Sequence, residues 1–346
     1  MNCDDLHTSI YATPDRAHRV VSDAVQDRPL RIAVTLGDPR GIGPEVAATA
    51  ARQFRAAVAH HLVFIGPGGT GADTAADDFI DIGTWSPLPD DAGRTAAGRL
   101  AGLAIDRAIA LALEGAVDAI VTAPIDKAAL HAAGYDFPGH TEMLASRCGI
   151  TDVVMMMAAE KTALGGPLRV VLATTHIALA DVPAAFTTER LVAQTRITGR
   201  ALRDEWGIAG PRLALCAFNP HASDNGLFGD EEVRIYAPAI AALRADGLWI
   251  GGPLPADTVF LRAARGEFDA VIAPYHDVGM AAFKTAAFGS GVNVTLGLPF
   301  PRTSPDHGTA LDIAGRGAAD ASSMFEALTL AARLADVRVA HAHVHP

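Results

Sequence analysis

The 346-residue sequence predicts an α/β fold of three layers, with helices on both faces of a largely parallel sheet. Short apolar runs rich in β-branched residues alternate with longer amphipathic stretches, as strands and helices do in such a fold. Half of the residues are hydrophobic and only 6% are aromatic, a composition typical of α/β proteins. The chain is long enough for one large domain or two ordinary ones.

The elements can be assigned in order along the chain. Eight apolar runs predict strands, at residues 30–36, 61–65, 119–122, 153–157, 169–174, 212–218, 270–273 and 292–296. Five amphipathic stretches predict helices, at residues 43–58, 95–114, 188–205, 231–245 and 322–334. Residues 66–93, rich in Gly, Asp and Pro, show neither pattern and predict a loop. Residues 1–29 lack the basic and apolar segments of a secretory signal and predict a flexible extension.

Charge and cysteine content exclude several classes of partner. The formal net charge is -11 without any cluster of Lys and Arg, which argues against nucleic acid and anionic membranes as partners. No apolar run reaches the ~18 residues that span a bilayer. Cys3, Cys148 and Cys216 are odd in number and far apart, which indicates a reducing compartment, the cytoplasm. An anionic ligand would require the positive charge of this acidic chain to be concentrated in one pocket.

Three histidines follow predicted strands and form the first candidate site. His176 ends the motif ATTH, His221 lies in FNPHAS, and His276 lies in APYHD. Ligands of open α/β sheets bind beyond strand ends, so we expect these side chains to converge. Three imidazoles that leave one position open are typical of a catalytic divalent metal site. Asp277 can orient an imidazole or join the coordination. The alternative is that histidines merely mark strand ends, because no compact motif such as HExxH is present.

A second group of residues predicts an anion pocket. His140 and Thr141, in PGHTEML, stand where a loop enters a helix, and free backbone amides at that point attract anions. Lys284, Asn293 and Arg302 add donors suited to a phosphate or a carboxylate. The alternative is that Lys284 and Arg302 are ordinary solvated surface residues.

Two glycine-rich segments compete as a dinucleotide site. Residues 66–71, GPGGTG, match G-x-G-x-x-G after a strand, but they contain a proline and lead into no clear helix. Residues 305–317, PDHGTALDIAGRG, are the better candidate, because His307, Gly308 and Thr309 can bring backbone and ring close to an adenosine. An ordinary glycine-rich turn is the alternative for this loop.

The motifs together resemble the 4-hydroxythreonine-4-phosphate dehydrogenase family of vitamin B6 synthesis. The resemblance runs from residue 31 to residue 334 and rests on TLGDPRGIGPEV, TAPIDKAALHAAGYDFPGHTEML, ATTHIAL, NPHASDNGLFGDEE, GPLPADTVF, APYHDVGMAAFK and GVNVTLGLPFPRTSPDHGTALDIAGRG. That family is similar in fold to isocitrate and isopropylmalate dehydrogenases. The resemblance therefore implies two α/β subdomains, residues 30–135 plus 300–346 and residues 136–299, with the active site in the cleft between them.

The resemblance also implies a reaction and a set of roles. We expect NAD-linked, or NADP-linked, oxidative decarboxylation of 4-phosphohydroxy-L-threonine to 3-amino-2-oxopropyl phosphate, in a homodimer whose active sites are completed across the interface. One divalent ion of zinc, magnesium, manganese or cobalt is expected in each site. The implied metal ligands are His176, His221 and His276; the implied substrate residues are His140, Thr141, Lys284, Asn293 and Arg302; the cofactor residues are His307, Gly308, Thr309 and Asp312.

Several points stay open at the level of sequence. The catalytic base is Lys284, His140 or Asp277. Related enzymes act on phosphorylated threonate or erythronate or on a dihydrodiol of terephthalate, and a non-catalytic phosphate- or metal-binding protein is the contrasting class. Three residues depart from the usual family pattern and put the exact substrate in question, namely Arg40, Val278 and Pro301.

Overall fold

The structure, a computed structural model, describes residues 28–344, and most of the predicted N-terminal extension lies outside them. Eleven strands form one sheet: β1 Arg31–Thr35, β2 His61–Gly68, β3 Asp78–Thr84, β4 Ala119–Thr122, β5 Val154–Ala159, β6 Leu168–Leu172, β7 Arg212–Cys216, β8 Trp249–Leu254, β9 Ala270–Ala273, β10 Val292–Leu296 and β11 Arg302–Pro305. The helices are α1 Gly43–Ala57, α2 Asp90–Leu113, α3 Lys127–Ala132, α4 His140–Arg147, α5 Val182–Ala185, α6 Thr188–Asp204, α7 Ala237–Ala245, α8 Ala256–Ala264, α9 His276–Ala287 and α10 Ser322–Val344.

The sheet is parallel at both ends and antiparallel in its middle. The strand order is β3-β2-β1-β4-β11-β10-β5-β6-β9-β7-β8. The pairs β11–β10, β10–β5 and β5–β6 are antiparallel, whereas the other neighbours are parallel. Strands on the two sides of this middle section therefore run in opposite directions. Along the sheet, the strands of residues 30–135 and β11 are neighbours on one side, and the strands of residues 136–299 are neighbours on the other side. The division into two subdomains stays a prediction.

The predicted three-layer α/β class is confirmed by the packing of β4. Ile120 and Val121 are neighbours on this strand and point to opposite faces, yet neither is exposed. Ile120 belongs to a cluster with Ile105 of α2, and Val121 belongs to a separate cluster with Met324 of α10. Because both faces are covered, the strand reads as a continuous apolar run rather than an alternating one.

Local signals explain where the helices begin. In α1, Pro44 lies in the first turn, where its missing N–H is not needed, and Glu45 follows it near the positive end of the helix dipole. In α6, the side chain of Thr187 accepts a hydrogen bond from the backbone N–H of Arg190. Among the described residues, none of the helices is sufficiently long and apolar for a membrane span.

Three strands and several helix bounds differ from the sequence-based assignment. Residues 66–93 are not a loop, because they contain the half-exposed edge strand β3 and the first residues of α2. The strands β8 and β11 and the helices α3, α5, α8 and α9 also add to the predicted set, whereas α4 begins at His140, where the sequence predicts that a loop enters a helix. The C-terminal helix α10 continues to Val344 instead of ending at residue 334. The GPGGTG segment leaves β2 by a turn towards β3 and opens no α-helix, so it lacks the strand–helix context of a dinucleotide fingerprint.

Candidate active site

A cavity of about 370 Å³ lies over the middle of the sheet. Its walls include Thr122 of β4, Met155 of β5, Asn293 of β10 and Arg302 of β11. The predicted site residues that line it are His140, Thr141, His176, Asn293, Arg302, His307 and Gly308. The structure thus brings together most of the predicted anion pocket, one of the three histidines and part of the predicted cofactor loop.

Arg302 is the charged centre of this cavity. It is 1% exposed, and its guanidinium donates to the hydroxyls of Thr122 and Thr295 at 2.6 and 2.9 Å. Its Nε has no partner among the described residues. Burial lowers the pKa of Arg302 to about 10, which the charge of Glu142 partly opposes. A buried cation that meets hydroxyls instead of a carboxylate is suited to receive an anion from outside.

Other buried polar atoms around Arg302 also lack partners. The Nε2 of His140 and the Oδ1 of Asn293 are shielded from solvent without a hydrogen bond in the described part of the chain. Such groups normally find a partner, so they indicate where a ligand binds. Burial, together with the charges of Arg302 and Lys127, lowers the pKa of His140 well below its usual value. The imidazole of His140 is therefore neutral at physiological pH and can either donate or accept a proton at Nε2.

His176 and His276 form a pair beside the cavity. Their ring centroids are 5.4 Å apart, and both line a smaller cavity of about 100 Å³ together with Asp277. The Nδ1 of His276 lies 2.8 Å from a carboxylate oxygen of Asp277. That contact orients the ring and leaves Nε2 free, as in a carboxylate–histidine–metal arrangement. The paired imidazoles fit a divalent metal, although residues 28–344 of a single chain contain no group of three or more such ligands.

His221 lies on a separate, strained segment. It is exposed, and residues 221–225 all have positive φ, between 42° and 72°. Backbone of this kind costs roughly 1 kcal/mol or more for each residue other than glycine. Glu232 anchors the start of the segment by accepting from the backbone N–H groups of Phe218 and Asn219 at 2.9 and 2.8 Å. His221 does not line either of the two cavities described above, so within one chain it is not brought to the other two histidines.

Lys284 is placed differently from the expectation of a free substrate-binding cation. Its ammonium forms an ion pair with the carboxylate of Asp306 and donates to the backbone carbonyl of the same residue at 3.2 Å. It does not line the main cavity. Lys284 therefore holds the start of residues 305–317, the predicted cofactor loop, and a contact with substrate would require this pairing to change.

The predicted cofactor residues divide into two groups. His307 and Gly308 line the cavity, and the Nε2 of His307 has no partner among the described residues. Thr309 and Asp312 do not line it; the carbonyl of Thr309 instead accepts from the backbone N–H of Ile42 at 2.9 Å. The cofactor loop is thus attached to the loop between β1 and α1.

The three departures from the family pattern have distinct structural roles. Arg40 donates to Asp38, which is 1% exposed, and also to Asp126 at 2.8 Å, so it joins two loops at the edge of the cavity. The carbonyl oxygen of Pro301 accepts a hydrogen bond from the backbone N–H of Ile120 at 3.0 Å. Val278 is partly buried against the cluster around α8 and α9. None of the three lines the main cavity.

Several cavity residues were not singled out as site residues from the sequence. They are polar or charged and come from four separate elements: Thr122, Lys127, Glu142, Arg190 and Gln194. Two of them carried a usable signal: Lys127 lies in PIDK, directly after a predicted strand, and Glu142 lies in PGHTEML. The others reach the cavity through tertiary packing that no local pattern reveals.

An α/β protein with a buried arginine, partnerless polar atoms and paired imidazoles around one cavity has the features of an enzyme that acts on a small anion. Residues 49–331 match the family model described as pyridoxal phosphate biosynthetic protein PdxA. The chain belongs to this family and is an oxidoreductase.

Relatives of known name support the same assignment. A 4-hydroxythreonine-4-phosphate dehydrogenase of Paracoccus denitrificans is 46% identical over 88% of this chain and 97% of the relative. A D-threonate 4-phosphate dehydrogenase of Cupriavidus necator is 44% identical over 89% and 98%. The crystal structure of 4-hydroxythreonine-4-phosphate dehydrogenase from Klebsiella pneumoniae has a TM-score of 0.79 at 41% identity, covering 88% of this chain and 99% of the other.

Proposed function

We propose that this chain oxidises and decarboxylates 4-phosphohydroxy-L-threonine to 3-amino-2-oxopropyl phosphate and CO₂, in the synthesis of pyridoxal 5'-phosphate. The observation that carries the proposal is the buried Arg302, which lines one cavity with His140 and Asn293, each of the three residues carrying a buried polar atom without a partner in the described part of the chain. Arg302 binds the phosphate, and the polar atoms of His140 and Asn293 face the carbon chain of the substrate. Thr141 adds the N-terminal turn of α4 to the same end of the cavity.

Among the three candidate bases, His140 fits best. Lys284 is paired with Asp306, and Asp277 is engaged with His276. The Nε2 of His140 has no such partner, and its ring is neutral, so it can accept the proton of the substrate hydroxyl. His307 and Gly308 are the residues that would hold a nicotinamide cofactor, NAD or NADP, which supplies the hydride acceptor, with Thr309 and Asp312 further along the same loop.

We further propose a homodimer in which the metal is shared. His176 and His276 would hold it from one subunit, and His221 of the partner subunit would be the third ligand. A divalent ion of zinc, magnesium, manganese or cobalt at this position supplies a Lewis acid beside the substrate hydroxyl. Exposed apolar residues beside His176 and His221, namely Leu179 and Leu227 at 65% and 72% exposure, suit an interface between two copies.

Mixed dimers test the shared site. The activity of the variants His176→Ala and His221→Ala should each fall by orders of magnitude relative to wild type when the variant is purified alone. When the two variants are co-expressed, a dimer of one of each contains one intact site, so random pairing should restore about a quarter of the wild-type activity. If both variants are inactive alone and no activity returns in the mixture, the three ligands come from a single chain and the shared site is wrong.

Substrate comparison separates this proposal from its alternatives. NADH formation is measured with phosphohydroxythreonine, phosphothreonate and phosphoerythronate under each divalent metal. The 44% identity to a D-threonate 4-phosphate dehydrogenase makes phosphothreonate the second candidate. A clear preference for either sugar acid would change the substrate but keep the reaction class, whereas binding without any turnover would indicate a non-catalytic protein.

We place the enzyme in the cytoplasm, where the free thiols of Cys148 and Cys216 stay reduced.

A further inference from the structure

Lys127 is a cation of the main cavity to which no role has yet been given. The chain has three lysines. Lys284 is paired with Asp306, and Lys161 lies at a different cavity lined by α10. Lys127 lines the main cavity and forms no ion pair with a carboxylate anywhere in residues 28–344. It is therefore the lysine whose charge is available to a ligand in this cavity.

The backbone around Lys127 is held firmly. Lys127 is the first residue of α3, and the carboxylate of Asp126 caps this helix by accepting from the N–H groups of Ala128 and Ala129 at 2.9 and 3.3 Å. The other oxygen of Asp126 accepts from Arg40 at 2.8 Å. Cap and ion pair together fix the point from which the lysine side chain enters the cavity.

Lys127 lines the main cavity together with residues from both ends of the site, among them Arg302 and His176. Its Cε lies 3.6 Å from the place that a Cβ at Gly139 would occupy, so the side chain runs beside the start of α4. The cavity that Lys127 lines is also lined by His140 and His176. Arg190 also lines the cavity, but it projects from α6, whereas Lys127 lies beside the start of α4. Lys127 is thus near the phosphate-binding end and near the paired histidines at once.

We propose that Lys127 binds the substrate carboxylate and thereby selects phosphorylated hydroxy acids over phosphorylated alcohols that lack this group. The inference rests on the proposed function, which places the phosphate at Arg302 and the hydroxyl near His176. A substrate bound in this way presents one further anionic group, its carboxylate, and Lys127 is the lysine without an ion pair in the cavity that Arg302 and His176 also line. The ammonium of a lysine is a compact charge on a flexible side chain, which suits binding of a carboxylate. When the carboxylate leaves as neutral CO₂, the product no longer carries the charge that the lysine bound.

Direct binding measurements test this role. Calorimetric titrations compare phosphohydroxythreonine with its decarboxylated analogue, a phosphorylated amino alcohol, and with inorganic phosphate. Lys127→Met should weaken binding of the carboxylate compound roughly ten- to a hundredfold. It should leave the analogue and phosphate within about twofold of wild type. Lys127→Arg should restore part of the loss, and Lys161→Met, the matched control, should bind all three ligands as wild type does.

The outcomes separate this inference from the substrate assignment. Equal losses for the acid and the decarboxylated analogue would show that Lys127 contacts the phosphate, and unchanged binding of the acid would show no contact; either result overturns the inference. Phosphothreonate and phosphoerythronate carry the same two anionic groups and are titrated in parallel. If wild type turns over one of them instead, and Lys127→Met weakens that acid selectively, the inference stands while the substrate assignment falls. If wild type binds no acid better than the decarboxylated analogue, the inference is wrong.

Discussion

Replacing Arg302 by Met should lower catalytic activity while leaving the protein at least as stable as before. The guanidinium is fully buried, and its visible partners are two neutral hydroxyls, those of Thr122 and Thr295. A residue that serves the fold would lose stability and activity together. A residue that serves ligand binding would lose activity without a loss of stability when it is replaced.

The size of the stability change follows from the pKa of Arg302. Burial lowers this pKa from 12.5 to about 10. One pKa unit corresponds to about 1.4 kcal/mol, so keeping the side chain charged at neutral pH costs the folded state about 3 kcal/mol. Met fills the space without a charge, but the hydroxyls of Thr122 and Thr295 each lose a bond worth about 1 kcal/mol. We expect the free energy of unfolding to stay level or to rise by about 1 kcal/mol.

Catalytic efficiency should fall at the same time. Loss of a charge-assisted contact with the phosphate removes roughly 1.5–3 kcal/mol, which is about ten- to a hundred-and-fifty-fold in kcat/KM. Urea unfolding and NADH formation measure the two quantities, and the rise in Tm with added phosphate should shrink in the variant. Arg169→Met is the matched control, because Arg169 is buried but pairs with Glu160 at 3.0 Å. Breaking that pair should cost about 3 kcal/mol of stability. If Arg302→Met lost stability as Arg169→Met does, Arg302 would be a structural residue and the reasoning would fail.

Two further predictions concern the cofactor loop and the pH dependence of stability. A Cβ at Gly41 would lie 2.7 Å from the carbonyl oxygen of Thr309, so Gly41→Ala should displace the loop and raise KM for NAD severalfold; Gly210→Ala, with no atom within 4 Å, should not. Burial raises the pKa of Glu205 to about 7 from 4.5, so the folded state binds this proton more tightly. Its contribution to stability is complete below pH 4.5, is lost as pH rises to about 7, and amounts to about 3 kcal/mol. In Glu205→Gln the urea midpoint should change less with pH over that range. An unchanged dependence of the midpoint on pH would show that Glu205 is not the group responsible.

The sequence predicted strands best where both faces are buried. β4 and β9 were assigned with their observed bounds, because every residue of each is buried and the apolar run is unbroken. β11 was missed because it reads RTSP, yet all four residues are buried under neighbouring elements. Nothing local distinguishes such a segment from a turn, since its burial depends on β4, β10 and α10.

The candidate site shows the same division between local and tertiary information. His140, Asn293 and Arg302 were predicted by residue type and motif, and the structure places them at one cavity. The ion pair of Lys284 with Asp306 could not be predicted, because the partner is chosen by tertiary packing. The separation of His221 from His176 and His276 likewise depends on how distant segments fold, which spacing along the chain does not reveal.

The pairing of β4 with β11 has a consequence for the order in which the protein can be completed. Arg302 donates to Thr122 across 180 residues of sequence, so a growing chain displays β4 long before its neighbour β11 is made. Until then β4 offers an open hydrogen-bonding edge, and such edges pair readily with other chains. A chain that stops before residue 302 would lack both the strand that covers this edge and the guanidinium at the centre of the cavity. An incomplete copy of this protein is therefore inactive and prone to aggregate for the same structural reason.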